Sequence, residues 1–151
     1  MKKLAVVLAC VCVPAFAHKV VGIADGDTLT VLEDQRPVKI RLANIDAPEK
    51  AQAFGQQSKQ SLSELCYGKD AAYDRVDVDR YGRTVAVVTC QGTNVNREQV
   101  ARGMAWVYAR YNKDSSLPGV EARARGARAG LWSEAAPTPP WAYRQTAAMH
   151  R

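Results

Sequence analysis

The sequence predicts an α+β protein: a five-stranded, OB-fold-like β-barrel with three α-helices. Five short runs rich in β-branched and apolar residues lie between positions 20 and 90, separated by turn signals. Three further stretches place apolar residues at helical spacing and end on a glycine. Short strands twist, and a twisted five-stranded sheet hides its edges most simply by closing on itself.

Residues 20–24 and 29–32 are the first two strands, and Asp25-Gly26-Asp27 between them carries the Asp-Gly hairpin signal. Residues 33–37 are polar and include Pro37, which marks a second turn. Val38, Ile40 and Leu42 then alternate with Lys39 and Arg41, the period of a half-buried strand. In residues 51–67 the period changes. Phe54, Leu62 and Leu65 sit among Gln, Ser, Lys and Glu, an amphipathic helix stopped by Gly68. Residues 71–79 and 84–90 form a second hairpin around Arg80-Tyr81-Gly82-Arg83. Residues 94–104 read as a helix capped by Asn94 or Asn96 and closed at Gly103. Residues 117–129 read as a third, closed by Gly130. Residues 135–140 hold three prolines and are expected to be extended, within a proline-rich C-terminal tail over residues 135–151 that Trp132 and Trp141 could anchor.

The first 17 residues have the form of an export signal. Lys2 and Lys3 precede a short apolar run, and Ala15-Phe16-Ala17 is a small-x-small cleavage site. The run is too short to span a bilayer. Export to a periplasm or to the medium is therefore expected, with no membrane span left after cleavage. Cys10 and Cys12 leave with the signal. Cys66 and Cys90 remain, and an even pair in an oxidising compartment is expected to form a disulfide; the alternative is two buried thiols. The chain carries a formal charge of +6, of which two leave with the signal. A positive surplus with acidic clusters inside it suits an anionic substrate held over a cation site.

Asp25-Gly26-Asp27-Thr28, Arg41 and Asp46-Ala47-Pro48-Glu49 carry the chemistry. Asp27 falls at the start of one strand and Asp46 at the end of a neighbour, so their carboxylates can converge. With the main-chain oxygen of Ala47 they offer a hard cation an oxygen set that leaves room for water and a phosphate oxygen. Arg41 and, from the second hairpin, Arg83 suit a phosphate, because the guanidinium fork bonds two phosphate oxygens and keeps its proton. Carboxylates for a cation beside arginines for a phosphate point to metal-assisted phosphodiester cleavage. Tyr81 offers a face on which any base can stack, with Arg80 beside it.

These motifs, with Asp79-Arg80-Tyr81-Gly82-Arg83 and Gly130-Leu131-Trp132, resemble the thermonuclease family of staphylococcal nuclease homologues. The resemblance covers residues 19–134, and the spacings from Asp27 to Arg41, Asp46 and Glu49 match without a gap. It implies calcium held by Asp27, Asp46 and the Ala47 carbonyl, although the archetype has threonine at the Ala47 position. It implies that Glu49 orients or deprotonates the attacking water, and that Arg41 and Arg83 clamp the phosphate. It adds Tyr108 and Tyr111 as substrate-binding candidates. The implied activity is sugar-nonspecific endonuclease cleavage of DNA and RNA, preferably single-stranded, to 3′-phosphate ends by a monomer. Residues 18–134 would form the nuclease domain.

A competing reading is a non-catalytic module that binds single-stranded nucleic acid, since this barrel serves binding as readily as catalysis. Asp77-Val78-Asp79-Arg80-Tyr81-Gly82 imitates the opening of an EF-hand loop. Its twelfth position is Val88, where a bidentate glutamate is needed, so Asp77 and Asp79 are read as hairpin residues.

Overall fold

The computed structural model describes residues 17–150, so the expected export signal lies, apart from Ala17, outside the described residues. The chain runs β1 (His18–Asp25), β2 (Thr28–Glu33), β3 (Arg36–Leu42), β4 (Ile45–Asp46), α1 (Gly55–Cys66), β5 (Asp70–Val78) and β6 (Thr84–Cys90). It continues through β7 (Thr93–Asn94), α2 (Val95–Ala101), β8 (Trp106–Val107), α3 (Leu117–Gly126), a 3-10 turn (Gly130–Ser133) and α4 (Pro140–Met149). Antiparallel pairing joins β1 to β2, β2 to β3, β1 to β5 and β5 to β6. A parallel pairing of β3 with β6, from Ile40 beside Thr84 to Leu42 beside Ala86, completes the ring. The result is the expected five-stranded OB-fold-like barrel, with four α-helices around it among the described residues rather than three.

Alternation decides what fills the barrel. Val20, Leu29, Val31, Ile40, Leu42, Ala86 and Val88 point inward and are buried. Leu62 and Cys66 of α1 and Val95 and Val100 of α2 join the same core. Each fully buried Leu, Ile or Val contributes roughly 1.5–3 kcal/mol relative to exposure. Because Ile40 and Leu42 face inward, Arg41 between them must face outward. This parity puts the guanidinium on the barrel wall, where the site forms.

Several local features differ from expectation for identifiable reasons. The strand β3 takes in Pro37, paired with Leu32, while Asp34 and Gln35 make the turn at positive φ. The first helix starts at Gly55 instead of residue 51, because Phe54 adopts φ 63 and residues 49–55 form turns closed by Glu49 O and Gln52 O. Asn94 caps α2 by accepting from Arg97 N, while Asn96 is buried and does other work. The most consequential difference is at the end of the chain. The proline stretch is extended only as far as Pro139, and residues 140–149 form a helix that the sequence reading did not place. Pro139 is extended, at φ −70 and ψ 148, but Pro140 stands in the first turn of α4, where its missing N–H leaves no helical bond unmade. Arg125, on the exposed face of α3, lays its guanidinium over Trp132 and Trp106 at 4.0 and 5.0 Å. Among the described residues no helix is long and apolar enough to cross a membrane.

Cys66 and Cys90 form the expected disulfide, tying the C-terminal end of α1 to the end of β6 across a separation of 24 residues. Closing a loop of that length removes unfolded-state entropy equivalent to about 3 kcal/mol. The double substitution Cys66→Ala/Cys90→Ala should therefore lower the unfolding free energy by about 3 kcal/mol, read from urea unfolding. A change under about 1 kcal/mol would show that the bond does not constrain the unfolded chain as the loop-entropy argument requires.

Candidate active site

The β1–β2 turn aims Asp27 into the barrel wall. Asp25 Oδ1 accepts from Asp27 N at 3.1 Å, which sets the turn. Asp27 Oδ2 accepts from Ala47 N at 2.6 Å and Oδ1 from the Thr28 hydroxyl at 3.1 Å. Gly26 and Asp27 are both absent from the left-handed region, so the glycine is not there for handedness. It is there for contact: a Cβ on Gly26 would stand 1.8 Å from Ser58 Oγ and 2.9 Å from Ala47 Cβ. The turn thus lies directly on α1. Gln99, fully buried on α2, locks it from behind by donating to Gly26 O at 2.7 Å and to Ser58 O at 3.1 Å.

The β3–β4 loop brings the second carboxylate. Arg41 Nη1 donates to Leu42 O at 2.7 Å and Ile45 O at 2.9 Å, holding the loop closed. Its Nη2 lies 3.0 Å from Asp46 Oδ1 and 3.2 Å from Asp27 Oδ2, so one nitrogen bridges both carboxylates. Asp46 is pinned by the pairing of β4 with β8, opposite Trp106. Asn96 supports the loop from beneath, donating to Ala43 O and Ala86 O and accepting from Val88 N. Burial raises the Asp27 carboxyl to about 7; Arg41 opposes the rise, Asp25 adds to it, the Ala47 N–H opposes it and Asp46 adds a little more.

Glu49 stands on the adjoining turn, where its N–H donates to Gln52 Oε1 at 3.1 Å. Gly55 is required here as well, since a Cβ would lie 2.0 Å from Glu49 O. Glu49 Oε1 accepts from Arg144 Nη1 at 2.8 Å. Arg144 also grips both oxygens of Asp46, with Nη2 2.7 Å from Oδ2 and Nη1 3.2 Å from Oδ1. These bonds to Asp46 and Glu49 hold the Arg144 guanidinium still further above its already high pKa. Arg144 was not anticipated from the sequence, and neither were Gln99, Asn96 and Ser58. For Arg144 a signal existed: Trp141 and Arg144 are three apart behind a proline suited to a helix start. For Gln99 and Asn96 a single sequence offers none.

The structure therefore brings together Asp27, Arg41, Asp46, Ala47 and Glu49. Arg83 stands two residues before Val85, the β6 partner of Arg41, and its side chain turns to its own hairpin and makes no hydrogen bond or ion pair with that cluster. Its Nε donates to Asp79 Oδ2 at 2.6 Å. Burial works against the Asp79 carboxylate, but the Arg83 N–H, the Arg83 side chain and the Tyr81 N–H outweigh it and keep its pKa below the ordinary value. Asp79 is thus a hairpin residue, as expected. Tyr81 is well exposed, with the Arg80 and Arg83 guanidiniums over its ring at 4.9 and 5.6 Å. Pro37, Val38, Lys39, Tyr81, Gly82, Arg83 and Thr84 line an open groove of about 480 Å³. Tyr108 and Tyr111 stand on the other side of β4, edge to face at 4.8 Å, and Trp141 lies parallel to Tyr108 at 5.4 Å.

Two buried carboxylates and a main chain held against one of them suit a hard, oxygen-ligated cation. Among the described residues no three His, Cys, Asp or Glu side chains converge. An ion here would draw on the carboxylate oxygens of Asp27 and Asp46, with no sulfur or imidazole ligand beside them.

Residues 39–134 match the family described as staphylococcal nuclease homologue. The chain is 47% identical over 128 residues to a protein of Haemophilus influenzae named an uncharacterized endonuclease, covering 84% of this chain and 72% of the relative. An Escherichia coli O157:H7 protein of the same name is 45% identical over 127 residues, 83% of each chain. A Shigella flexneri protein named micrococcal nuclease is 41% identical over 155 aligned positions, 93% of this chain and 89% of the relative. With the barrel and its paired carboxylates, these define a nuclease, a phosphodiester hydrolase. The chain belongs to the staphylococcal nuclease homologues.

Two predictions follow from this packing. Gly26→Ala should lose roughly 1–3 kcal/mol, because either Ser58 or the turn must move; urea unfolding measures it, and a loss under about 0.5 kcal/mol would refute the close contact. The second concerns pH. Between about pH 4 and 7 the folded metal-free protein keeps a proton on Asp27 that the unfolded chain has released. The Asp27 contribution therefore falls as pH rises through that window and levels off above it. Unfolding of wild type and Asp27→Asn in chelator across this range should show wild type losing stability relative to the variant. A constant difference would refute the burial effect.

Proposed function

We propose that this protein is an exported, calcium-dependent, sugar-nonspecific endonuclease that acts as a monomer on DNA and RNA, with single-stranded regions preferred. The observation that carries this reading is the convergence of Asp27 and Asp46 on Arg41, with Glu49 on the adjoining turn. The names of the relatives support the reaction class, and the disulfide supports an oxidising compartment.

Asp27, Asp46 and the Ala47 carbonyl would hold the cation, which when bound withdraws charge from a phosphoryl oxygen. The remaining work belongs to the chain. Glu49 accepts a hydrogen bond from the attacking water and takes its proton as the oxygen adds to phosphorus. The P–O5′ bond breaks, leaving a 3′-phosphate, and the departing oxygen is protonated to a 5′-hydroxyl. Arg41 and Arg83 bond the phosphoryl oxygens as their charge grows. Arg41 now spends both terminal nitrogens on Leu42, Ile45 and the two carboxylates. A cation on those carboxylates would relieve Nη2 of that task and free it for phosphate. Tyr81, with Arg80, offers an exposed stacking face on one side, and Tyr108 and Tyr111 offer another, which suits unpaired bases.

The test is digestion of single-stranded DNA by the mature chain in calcium and in chelator. Cleavage should require calcium and fall by about 10²-fold or more in Glu49→Gln, with the unfolding midpoint unchanged. Arg83→Ala should fall comparably. Tight binding of the strand without cleavage in calcium would replace this reading with the binding module.

A further inference from the structure

The matched family region ends at residue 134, yet the chain beyond it is built into the site. Gln52 Nε2 donates to Thr138 O at 2.6 Å, which fixes the path of the proline segment. Pro140 is buried, and Trp141 packs edge-on against Trp106 at 5.6 Å. Tyr143 lines a cavity of about 230 Å³ with Pro48, Ala51 and Gln52 beneath the Glu49 turn. The rest of α4 is loosely held: Gln145, Thr146, Ala148 and Met149 are exposed.

Trp141 and Arg144 are three residues apart and so share one face of α4. That face meets both halves of the site at once. Arg144 bonds both carboxylate oxygens of Asp46 and one of Glu49. Trp141 lies parallel to Tyr108, interplanar angle 1°, as a stacked base would. A guanidinium thus stands on the cation's carboxylate, and an indole stands on an aromatic face offered to substrate. A divalent ion on Asp46 would meet the positive charge of the guanidinium that already bonds both of its oxygens, so the two compete for that carboxylate. Arg144 likewise occupies one of the lone pairs of Glu49 Oε1 and crowds the water that Glu49 would hold.

We propose that α4 is an autoinhibitory plug: Arg144 takes the place of the cation and Trp141 that of a base, and the helix must leave before calcium and single-stranded nucleic acid can enter. The inference rests on the reading of Asp46 as a cation ligand. The plug needs no partner, because its displacement is driven by the cation and the strand that compete for the same atoms.

The experiment is calorimetric titration of the full mature chain with calcium alone, in wild type, Arg144→Gln and Asp46→Asn. Arg144 is well exposed, so the glutamine variant keeps its core. If the plugged form predominates at about nine in ten, removing it tightens the apparent calcium Kd about tenfold. The indole N–H resonance of Trp141, assigned by Trp141→Phe, should shift when wild type is saturated with calcium, and should be shifted before any calcium in Arg144→Gln. Unchanged or weaker calcium affinity in Arg144→Gln overturns the plug. If calcium binding is lost in Asp46→Asn but indifferent to Arg144, only the plug fails. If wild type and Arg144→Gln both bind no calcium, the plug and the calcium-dependent reading fail together.

Discussion

Arg41 bridges two buried carboxylates that stand 19 residues apart in the chain. Asp27 and Asp46 are each almost entirely removed from water, and a buried carboxylate without a partner is among the costliest groups a fold can hold. The shared guanidinium nitrogen makes their proximity tolerable. The same residue closes the β3–β4 loop through two carbonyls, so the charge pairing and the loop geometry depend on each other. The triangle in turn depends on barrel closure. The β3–β6 pairing sets the wall on which Arg41 stands and brings the Arg83 hairpin beside it.

Around this triangle the fold uses buried polar side chains where an apolar core would be simpler. Asn96 ties the end of β3 and the middle of β6 to α2, and Gln99 ties the β1–β2 turn to α1. Such groups stabilise only when their hydrogen bonds are made, and Asn96 makes three. Gln99 Oε1 has no partner among the protein atoms. The arrangement sacrifices some packing simplicity for the placement of Gly26, Asp27 and Ala43, and through them of both carboxylates.

The C-terminal helix completes the charge balance from outside the barrel. Without it, Asp46 and Glu49 would face solvent opposite a guanidinium already shared with Asp27. With it, a second guanidinium closes the cluster and an indole covers Tyr108. The face that carries the carboxylates is therefore not simply an open groove. One side, toward Tyr81, is open, while the side toward Tyr108 is covered by the chain's own tail.

The barrel, the order of its five long strands, the disulfide and the cluster of Asp27, Arg41, Asp46 and Glu49 were legible in the sequence. Local rules govern these features: alternation puts Ile40 and Leu42 inside and Arg41 outside, and an even pair of cysteines behind an expected export signal points to a bond. The reason for Gly26 was not legible. An Asp-Gly pair signals a turn of particular handedness, and only α1 packed against the turn shows that the missing Cβ makes room for Ser58. The roles of Asn96 and Gln99 were hidden for the same reason, since their partners lie 8–73 residues away. The tail shows the limit most clearly. Three prolines argue locally for an extended chain, yet α4 is held by Trp106, Tyr108, Asp46 and Glu49, groups from two distant parts of the chain. Sequence settles which residues can pair and which face they occupy; only the closed tertiary structure decides which distant surface a short, weakly periodic helix will cover, because that choice depends on charges and rings that meet nowhere but in the folded chain.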